Sequence, residues 1–369
     1  MKRISRLPLV IFLVPVISAG IATVGSMAET NETGIRAPVD SVGYALRPEQ
    51  IESVITLSDS LEADLLSRYG RLDEHGRMIG AIAPHDDHLY AGRVYIHAMR
   101  RMEAPLAVLI GVCHAGRRKG IEGKLIFDTH SAWAGPYGDC PVSALREEVV
   151  DSLPPDLVMV SDELHGEEHS LEAFVPFLQY YRRDIEILPV LVTRMPGDLM
   201  GQASQLFAAA LHGACEARGW RLGEDVVIVV SADCVHYGDE GWGGRNYAPF
   251  GVGEEGYRLA VEQDLNIAVG CLTGSIRDRN VMDFRERVER DDLEWPYEVT
   301  WCGVYSIPFG LGTLTAMTDL EGRPRPAGYL LRYGTSVDPG ILPCAIEGLG
   351  VTNIGTLRHW VGHVSIGYW

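Results

Sequence analysis

Short apolar runs rich in Val, Ile and Leu recur along the chain and alternate with longer amphipathic segments. The runs predict strands over residues 78–83, 106–110, 157–160, 185–192, 226–230 and 329–333. The amphipathic segments predict helices over residues 93–101, 171–181, 198–218, 254–269, 281–290 and 306–317. Apolar runs of this kind are typical of strands that are covered on both faces. We therefore predict an α/β fold with a mixed or mostly parallel central sheet flanked by helices.

The N-terminus has a different composition from the rest of the chain. Lys2, Arg3 and Arg6 precede an apolar run over residues 7–24, and Ser26-Met27-Ala28 then provides a small-x-small cleavage site. We predict a signal peptide over residues 1–28, or a membrane anchor if this segment is not cleaved. A polar linker over residues 29–48 then leads into one domain over residues 49–369. The protein is expected to be exported, to the periplasm or the extracellular space.

The charge of the chain limits its partners. A formal net charge of -18, without a Lys/Arg-rich stripe beyond the first residues, argues against binding to nucleic acid. We expect a small molecule or a peptide as partner, and membrane contact only through an uncleaved N-terminal segment. The chain also has 7 cysteines, so at least one thiol has no intramolecular partner.

Polar clusters follow three of the predicted strands. One strand runs into His85, the next into Cys113 and His114, and a third into Asp233 and His236. In α/β folds, ligands bind beyond the carboxyl ends of the strands, on loops that the sheet holds in place. The three strands are therefore expected to bring their histidines to one edge of the sheet.

Two histidines from neighbouring strands and one anionic side chain would form a metal site with open coordination positions. Asp86 and Asp87 are candidates for the anion, either as ligands or as groups that orient a ligand histidine. The structural alternative is that one of them caps a helix starting near Gly92 or pairs with Arg93. Cys302 is a second candidate, although a free cysteine is more often a small buried hydrophobe.

The segment EEHSLEAFVPFL contributes His169 and Glu172 as further candidates at the start of a helix. Ser170 could cap that helix and Glu172 could interact with its dipole, which leaves His169 without a structural role.

The segment SADCVHYG indicates a general base, since Asp233 precedes His236 by three residues and could orient its imidazole or stabilise its charge. A nucleophilic Cys113 or Cys234 is the weaker alternative, because neither has an obvious histidine partner.

Taken in order, IAPHDDHLYAG, LIGVCHAG, EEHSLEAFVPFL, ILPVLV, VVSADCVHYG, TWCG and LLRYGTSVD resemble the successive motifs of the MEMO family. Its bacterial members are often labelled AmmeMemoRadiSam system protein B. The resemblance implies a fold similar to the class III extradiol dioxygenases (LigB-like) with a non-haem metal site. It also implies a functional link to AMMECR-type and radical SAM proteins.

By position, the resemblance implies a metal-binding set of His85, His114 and Cys302. It implies an acid/base role for His236 with Asp233 beside it, and it places His169 and Glu172 in a motif that lines the site. Cys302, as a thiolate ligand, would also account for the odd number of cysteines.

The chain departs from the family pattern after the first ligand histidine. The family usually has Ala-Gly-Tyr where this chain has Asp86, Asp87 and His88, which would add two carboxylates and an imidazole near the metal. Either the metal has an altered surrounding shell, or Asp86 replaces Cys302 as the anionic ligand. Val112-Cys113 also stands where the family usually has Pro-Ser.

A site of two histidines and one thiolate favours iron, copper or zinc, and we expect iron first. With iron, the protein would be a dioxygenase-like oxidoreductase in which His236 takes a proton from a bound hydroxyl group. With zinc, it would be a hydrolase in which His236 or Asp233 acts as the base. The third hypothesis is an exported metal-binding or scaffold protein without catalysis.

Overall fold

The computed structural model describes residues 34–289 and 298–369. The predicted signal over residues 1–28 lies outside the described residues. Within the described part of the chain, no helix is both long and apolar enough to cross a membrane.

Thirteen strands are found in the described residues. They are β1 (Ile35–Arg36), β2 (Gly80–Ala83), β3 (Leu106–Val112), β4 (Leu125–Phe127), β5 (Ala132–Gly135), β6 (Gly138–Pro141), β7 (Val158–Val160), β8 (Glu186–Val192), β9 (Val226–Ser231), β10 (His236–Gly238), β11 (Gly274–Ser275), β12 (Ala327–Thr335) and β13 (His359–Tyr368).

The α-helices are α1 (Pro48–Leu61), α2 (Ala63–Arg68), α3 (His88–Met99), α4 (His114–Arg118), α5 (Leu145–Ser152), α6 (Asp162–Gly166), α7 (Val175–Tyr181), α8 (Gly197–Glu216), α9 (Glu254–Leu272), α10 (Asp278–Val288) and α11 (Ser306–Leu320). Short 3-10 helices cover Tyr69–His75, Glu172–Phe174 and Cys302–Val304.

A mixed sheet forms the centre of the fold, in the order β11-β12-β13-β2-β9-β3-β8-β4-β7, with β10 added beside β13. Its middle strands β2, β9, β3 and β8 are parallel, while β13 and β12 run antiparallel to β2 and to each other. A separate small sheet has the order β1-β5-β6. The prediction of an α/β fold with a mixed central sheet is confirmed.

Alternating side chains of the middle strands enter two cores, one on each face of the sheet. In β3, Leu106, Val108 and Ile110 belong to one buried cluster, and Ala107 and Leu109 belong to the other. Helices α8, α9 and α11 contribute to the first core, and α1, α3 and α7 contribute to the second. Burial on both faces explains why these strands are almost uniformly apolar in sequence.

All the predicted strands and helices are found, with shifted ends. Helix α3 begins at His88, five residues before the predicted start, and the predicted helix at 171–181 is divided into a 3-10 turn and α7. The sequence reading missed α1 and the long strand β13. It also treated residues 29–48 as a linker, whereas Arg36, Tyr44 and Ala45 of this segment are buried against the domain.

Candidate functional site

Three histidine rings meet beyond the carboxyl ends of β2 and β3. His85 follows β2, His114 begins α4 directly after β3, and His169 lies on the segment before α7. The ring centroid of His85 lies 5.5 Å from those of both His114 and His169, and the His114 and His169 rings stack at 5.0 Å. The predicted convergence of His85 and His114 at one sheet edge is therefore observed, and His169 joins them.

The hydrogen bonds around His85 define its tautomer. Its Nδ1 lies 2.7 Å from Ser231 Oγ, and that hydroxyl donates its own proton to the Ser170 carbonyl at 2.6 Å. Ser231 can therefore only accept from His85, which makes Nδ1 the protonated nitrogen. The Nε2 lone pair of His85 is left for another partner. Burial, together with the positive charges that His114 and His169 can carry, lowers the pKa of His85 and favours neutral imidazole.

Asp233 and Cys302 lie on the Nε2 side of His85. The nitrogen is 3.5 Å from Asp233 Oδ2 and 3.6 Å from Cys302 Sγ. The Asp233 backbone N–H donates to Cys302 Sγ at 3.1 Å, and the His85 backbone N–H donates to Asp233 Oδ1 at 2.9 Å. Burial and the charge of Asp86 raise the pKa of Asp233 to about 7. Burial and Asp233 likewise raise the pKa of the Cys302 thiol.

Glu168 orients His114. Its Oε1 lies 2.9 Å from His114 Nδ1, and its Oε2 accepts the His114 backbone N–H at 2.8 Å. Oε1 also accepts the backbone N–H groups of His169 and Ser170. Burial opposes the ionisation of Glu168, but the charge and hydrogen bond of His114 prevail and lower its pKa. Because Nδ1 faces a carboxylate, the Nε2 of His114 is free to face the site.

In the part of the chain that the structure describes, two groups of side chains have the compactness of a metal site, and both include His85. One is His85, His114 and His169; the other is His85, Asp233 and Cys302, and within each group the ligand atoms lie within 4.8 Å of one another. The predicted set of His85, His114 and Cys302 is thus divided between the two groups. No group among the described residues contains both His114 and Cys302.

His236 lies at the same site, but its orientation has a different cause from the predicted one. Its Nδ1 donates to the Thr300 carbonyl at 2.9 Å, with the Cys234 carbonyl at 3.2 Å, while the Asp233 side chain turns towards His85. Burial lowers the pKa of His236 to about 4, so the ring is neutral near neutral pH. The expectation that Asp233 orients His236 is wrong, because the intervening turn directs the two side chains differently.

Asp86 and Asp87 have partners that the sequence reading did not foresee. Asp86 Oδ2 is 2.6 Å from Nε2 of the buried His363, and Asp87 Oδ2 accepts the Thr352 backbone N–H at 2.6 Å. Asp87 occupies the N-cap position of α3 without a side-chain capping bond.

The proposed partner of these aspartates, Arg93, pairs with Glu62 instead, with Nε 2.6 Å from Oε1. Neither structural alternative is found, because Asp87 makes no side-chain capping bond to α3 and Arg93 does not pair with either aspartate. Their carboxylates still line a cavity at the site.

His88 belongs to the core and not to the site. Its Nδ1 accepts the Ala45 backbone N–H, and its Nε2 donates to the Ala173 carbonyl, both at 3.0 Å. The ring is fully buried and packs against Phe177 with centroids 4.9 Å apart. The expectation of an extra imidazole near a metal is corrected, because the first turn of α3 points His88 inward.

Glu172 holds an N-terminal segment, residues 34–44, over the site. Its carboxylate is 2.6 Å from Arg36 Nη1 and accepts the backbone N–H groups of Val39 and Asp40. Residues 39–42 of this segment line a cavity beside His85. Glu172 lies in the first turn of the 3-10 helix, as predicted for a residue near a helix start, and it also shapes the site indirectly by holding this segment.

Ser170 donates to the Val112 carbonyl at 3.1 Å and is not the predicted helix cap. All seven cysteines are free thiols, including Cys113 and Cys234, which are buried and have a raised pKa because of that burial.

Two cavities meet at the histidines, one with aspartates in its lining and the other with arginines. The acidic cavity, of about 600 Å³, is lined by Asp40, Asp86, Asp87 and Asp233 among others. The basic cavity, of about 790 Å³, is lined by Arg117, Arg118, Arg194 and Arg245 among others. Both are lined by His114, His236 and Trp242; His85 faces the acidic cavity, and Cys302 faces the basic one.

Sequence reasoning missed several residues that shape this site: Glu168, Ser231, Trp242, Thr300 and His363. Glu168 lies next to His169 in the segment EEHSLEAFVPFL, so this position could have identified it as a residue of the site. The partners of Ser231 and His363 lie 146 and 277 residues away in sequence, and only the tertiary fold brings them together.

Comparison with known proteins identifies the family. Residues 47–339 match the family described as Memo-like protein, and the chain belongs to that family. A MEMO1 family protein of Methanosarcina acetivorans is 29% identical over 182 residues, which cover 48% of this chain and 62% of that protein.

The MEMO1 family protein of Methanococcoides burtonii is 28% identical over 265 residues, 71% of this chain and 81% of that one. The MEMO1 family protein PF1638 of Pyrococcus furiosus is 26% identical over 309 residues, covering 79% and 92%. A solved structure, the uncharacterized protein JW3007 from Escherichia coli K12, aligns with a TM-score of 0.42 and 14% identity over 79% of this chain and 99% of that chain.

Proposed function

We propose that this Memo-like protein holds a redox-active metal ion, iron first, with His85 as the ligand common to both compact groups and with His114 and Cys302, one from each group, as its further ligands, and that it acts as a dioxygenase-like oxidoreductase. The observation that carries the proposal is the orientation of the two histidines. Each has its Nδ1 engaged by a buried partner, Ser231 for His85 and Glu168 for His114, so that each Nε2 is available. Ligand histidines in metalloproteins are held by partners of this kind.

The donor set fits a borderline or soft metal better than Mg²⁺ or Ca²⁺. Imidazole nitrogens and a thiol sulfur select iron, copper or zinc, whereas the hard cations require oxygen ligands. The raised pKa of the Cys302 thiol means that a cation must stabilise its thiolate. His169 and Asp233 complete the two compact groups around His85 and are the remaining candidate ligands.

A bound metal would supply open positions for substrate and dioxygen. His236 would accept a proton from a substrate hydroxyl at its Nε2, since its Nδ1–H is committed to the Thr300 carbonyl and its low pKa leaves it neutral. The acidic cavity and the basic cavity give access to this centre from two sides.

The first test is elemental analysis of protein purified anaerobically, comparing the wild type with His85→Ala and Cys302→Ala. We expect near-stoichiometric iron in the wild type and loss of metal in both variants. His212→Ala and Cys344→Ala are matched controls, because these residues line neither cavity. Oxygen uptake with candidate substrates then tests the oxidoreductase assignment.

Each other outcome supports a specific alternative. Metal lost in His85→Ala but kept in Cys302→Ala would favour His169 or Asp233 as the third ligand. Zinc with ester or amide cleavage would favour a hydrolase, and metal without turnover would favour a metal-binding or scaffold protein. No metal in the wild type under any loading condition would refute the proposal.

We also propose that residues 1–28 direct export. Their basic start, apolar run and small residues around Ala28 support this. The mass of the mature protein should correspond to a chain starting at Glu29, and a full-length mass in the membrane fraction would indicate an anchor instead.

A further inference from the structure

Asp264 is a buried carboxyl group that the proposed mechanism does not use. It lies on α9 with no exposed surface, and it lines neither cavity. Its Oδ1 accepts a hydrogen bond from Trp301 Nε1–H at 2.6 Å. Its Oδ2 accepts the Tyr333 hydroxyl at 2.8 Å and the Val235 backbone N–H at 3.2 Å. Donors from three separate segments of the chain therefore meet at one carboxyl group.

Two of these donors belong to residues that directly precede residues of the site. Trp301 precedes Cys302, the candidate thiol ligand. Val235 precedes His236, the candidate acid/base. The two segments also pair with each other, because Val235 and Trp301 form an antiparallel bridge. Asp264 thus bonds to both members of a paired stretch that carries a candidate ligand on one side and the candidate acid/base on the other.

Strand β13 supports this arrangement from behind. A Cβ at Gly362 would overlap Asp264 Oδ2 and lie 3.0 Å from the Tyr333 hydroxyl, so a side chain at this position would displace the carboxyl group. The Gly362 carbonyl accepts the Cys234 backbone N–H at 2.8 Å, and its N–H donates to the Val235 carbonyl at 2.9 Å. The carboxyl group and β13 therefore hold the same segment from two directions.

Burial of this carboxyl group is unfavourable, which favours a functional reason for its presence. Its three hydrogen-bond donors are neutral, and burial raises the pKa of Asp264 to about 7 although these hydrogen bonds oppose the shift. Groups that are costly to bury are expected mainly where a site requires them. An ionised carboxyl suits this position, because both of its oxygens accept hydrogen bonds at once.

We propose that Asp264 is a positioning residue, which fixes the segment carrying Cys302 and the segment carrying His236 relative to each other. The use of this alignment in metal binding and proton transfer rests on the proposed function, whereas the positioning itself does not require a metal. Asp264→Asn keeps only one acceptor oxygen. It must therefore leave either the Trp301 Nε1–H or the Val235 N–H without its acceptor.

Release of either segment should be felt at Cys302. Its Sγ accepts the Asp233 backbone N–H at 3.1 Å, so this hydrogen bond joins the same two segments that Asp264 holds together. Misalignment of the segments would break the bond and open Cys302 more often to a reagent in the basic cavity, which Cys302 lines.

The first test uses metal-free, full-length protein and follows alkylation by iodoacetamide at one fixed pH, with each cysteine measured by peptide mass spectrometry. In Asp264→Asn, we expect Cys302 to react about tenfold faster than in the wild type. Cys271 is buried on α9, the helix of Asp264, and Cys215 is buried on α8. Both should keep their wild-type rates, which distinguishes repositioning of the site from loosening of α9 or of the whole fold.

Tyr333→Phe is the matched control. It removes the third donor to Asp264 but leaves the hydrogen bonds of Trp301 and Val235, so Cys302 should react at the wild-type rate. Trp301→Phe is a second variant, which removes only the donor on the Cys302 side and should accelerate Cys302 as Asp264→Asn does.

The second test adds cobalt(II) as a coloured probe for a thiolate ligand. A Cys302 thiolate on the ion would give a sulfur-to-cobalt charge-transfer absorption in the wild type and in Tyr333→Phe. At equal bound cobalt, Asp264→Asn should lose most of this absorption, because the thiolate is no longer aligned with the other ligands.

Unchanged alkylation of Cys302 in both Asp264→Asn and Trp301→Phe would overturn the inference. So would equal acceleration of Cys302, Cys271 and Cys215, or an equal effect of Tyr333→Phe. A wild type that binds no cobalt would count against the proposed function, while selective acceleration at Cys302 would still support the positioning role. Cobalt binding without selective acceleration would do the reverse.

Discussion

Glu62 and Glu168 are both buried carboxylates with lowered pKa values, yet they occupy very different surroundings. Glu62, at the end of α1, lies 2.6 Å from Arg93 and 2.8 Å from Arg332, with His97 at 3.3 Å. Glu168 has His114 at 2.9 Å and the backbone N–H groups of its own segment.

The comparison shows that a buried carboxylate can stabilise the fold in one place and orient a functional group in another. The two arginines beside Glu62 are permanently charged and have only donors, and its third partner, His97, is fully buried and lines neither cavity. The Glu62 network therefore joins α1, α3 and β12 and offers no group to a ligand in these cavities. Histidine gives one nitrogen to the carboxylate and keeps the other. Glu168 therefore orients a group that can still bind, whereas Glu62 only joins elements of the fold.

Removing the charge of Glu62 should have the largest effect on stability. Glu62→Gln leaves Arg93 and Arg332 without their buried anion, and we expect a loss of about 3 kcal/mol in the free energy of unfolding. Chemical denaturation measures this loss. Metal content should be unchanged, because Glu62 lines neither cavity. A stability loss equal to that of the exposed control Glu255→Gln would show that the network is not structural.

The same network predicts a pH dependence. Burial opposes ionisation of Glu62, but its hydrogen bonds from His97 and Arg332 prevail and lower its pKa from 4.5 to about 2. A carboxylate with a lowered folded-state pKa stabilises the fold above its unfolded pKa, and this stabilisation is lost as the pH falls through the folded value. The stability difference between the wild type and Glu62→Gln should therefore be full near neutral pH and shrink between about pH 4.5 and 2. A difference that stays constant over this range would contradict the network.

Much of the fold and part of the site could be predicted from sequence. Buried parallel strands are uniformly apolar, so β3, β8 and β9 were visible, and the residues that end such strands fall at one edge. His85, His114 and His236 were found in this way. Strand β13 was missed because it carries buried polar residues, His363 and Ser365, that interrupt its apolar pattern.

The direction of side chains in the turns after the strands could not be predicted. Asp233 and His236 are three residues apart, yet one faces His85 and the other faces Thr300. The roles of Glu168 and Ser231 depend on partners 54 and 146 residues away in sequence. Such contacts follow from tertiary packing and leave no local pattern.

Glu168→Gln should lower the affinity for the metal while changing the free energy of unfolding less than Glu62→Gln does. The amide keeps one oxygen, which can still accept the backbone N–H groups of His169 and Ser170, but it loses the second acceptor and the charge that holds Nδ1–H of His114. We expect metal affinity to fall about 10-fold to 100-fold, as for other partners of ligand histidines, with a smaller loss of stability than in Glu62→Gln. The neighbouring Glu167→Gln, which removes an exposed pair with Lys119, is the control and should keep its metal affinity. If Glu168→Gln mainly destabilised the fold, the two carboxylates would have the same role.

Removing Ser231, the partner of His85, should lower metal affinity less than changing Glu168, the partner of His114. The reason is that Ser231 is neutral and Glu168 is charged. Ser231→Ala removes the acceptor of the His85 Nδ1–H, so the ring is less firmly held in the tautomer that presents Nε2. We expect metal affinity to fall about tenfold, measured by competition with a chelator, at the lower end of the range for such partners. Ser204→Ala is the matched control, since Ser204 is also buried and donates within α8. A loss as large as that of Glu168→Gln would mean that the hydroxyl orients the ring as firmly as a carboxylate does, whereas no loss would mean that Asp233 and the surrounding core hold His85 without it.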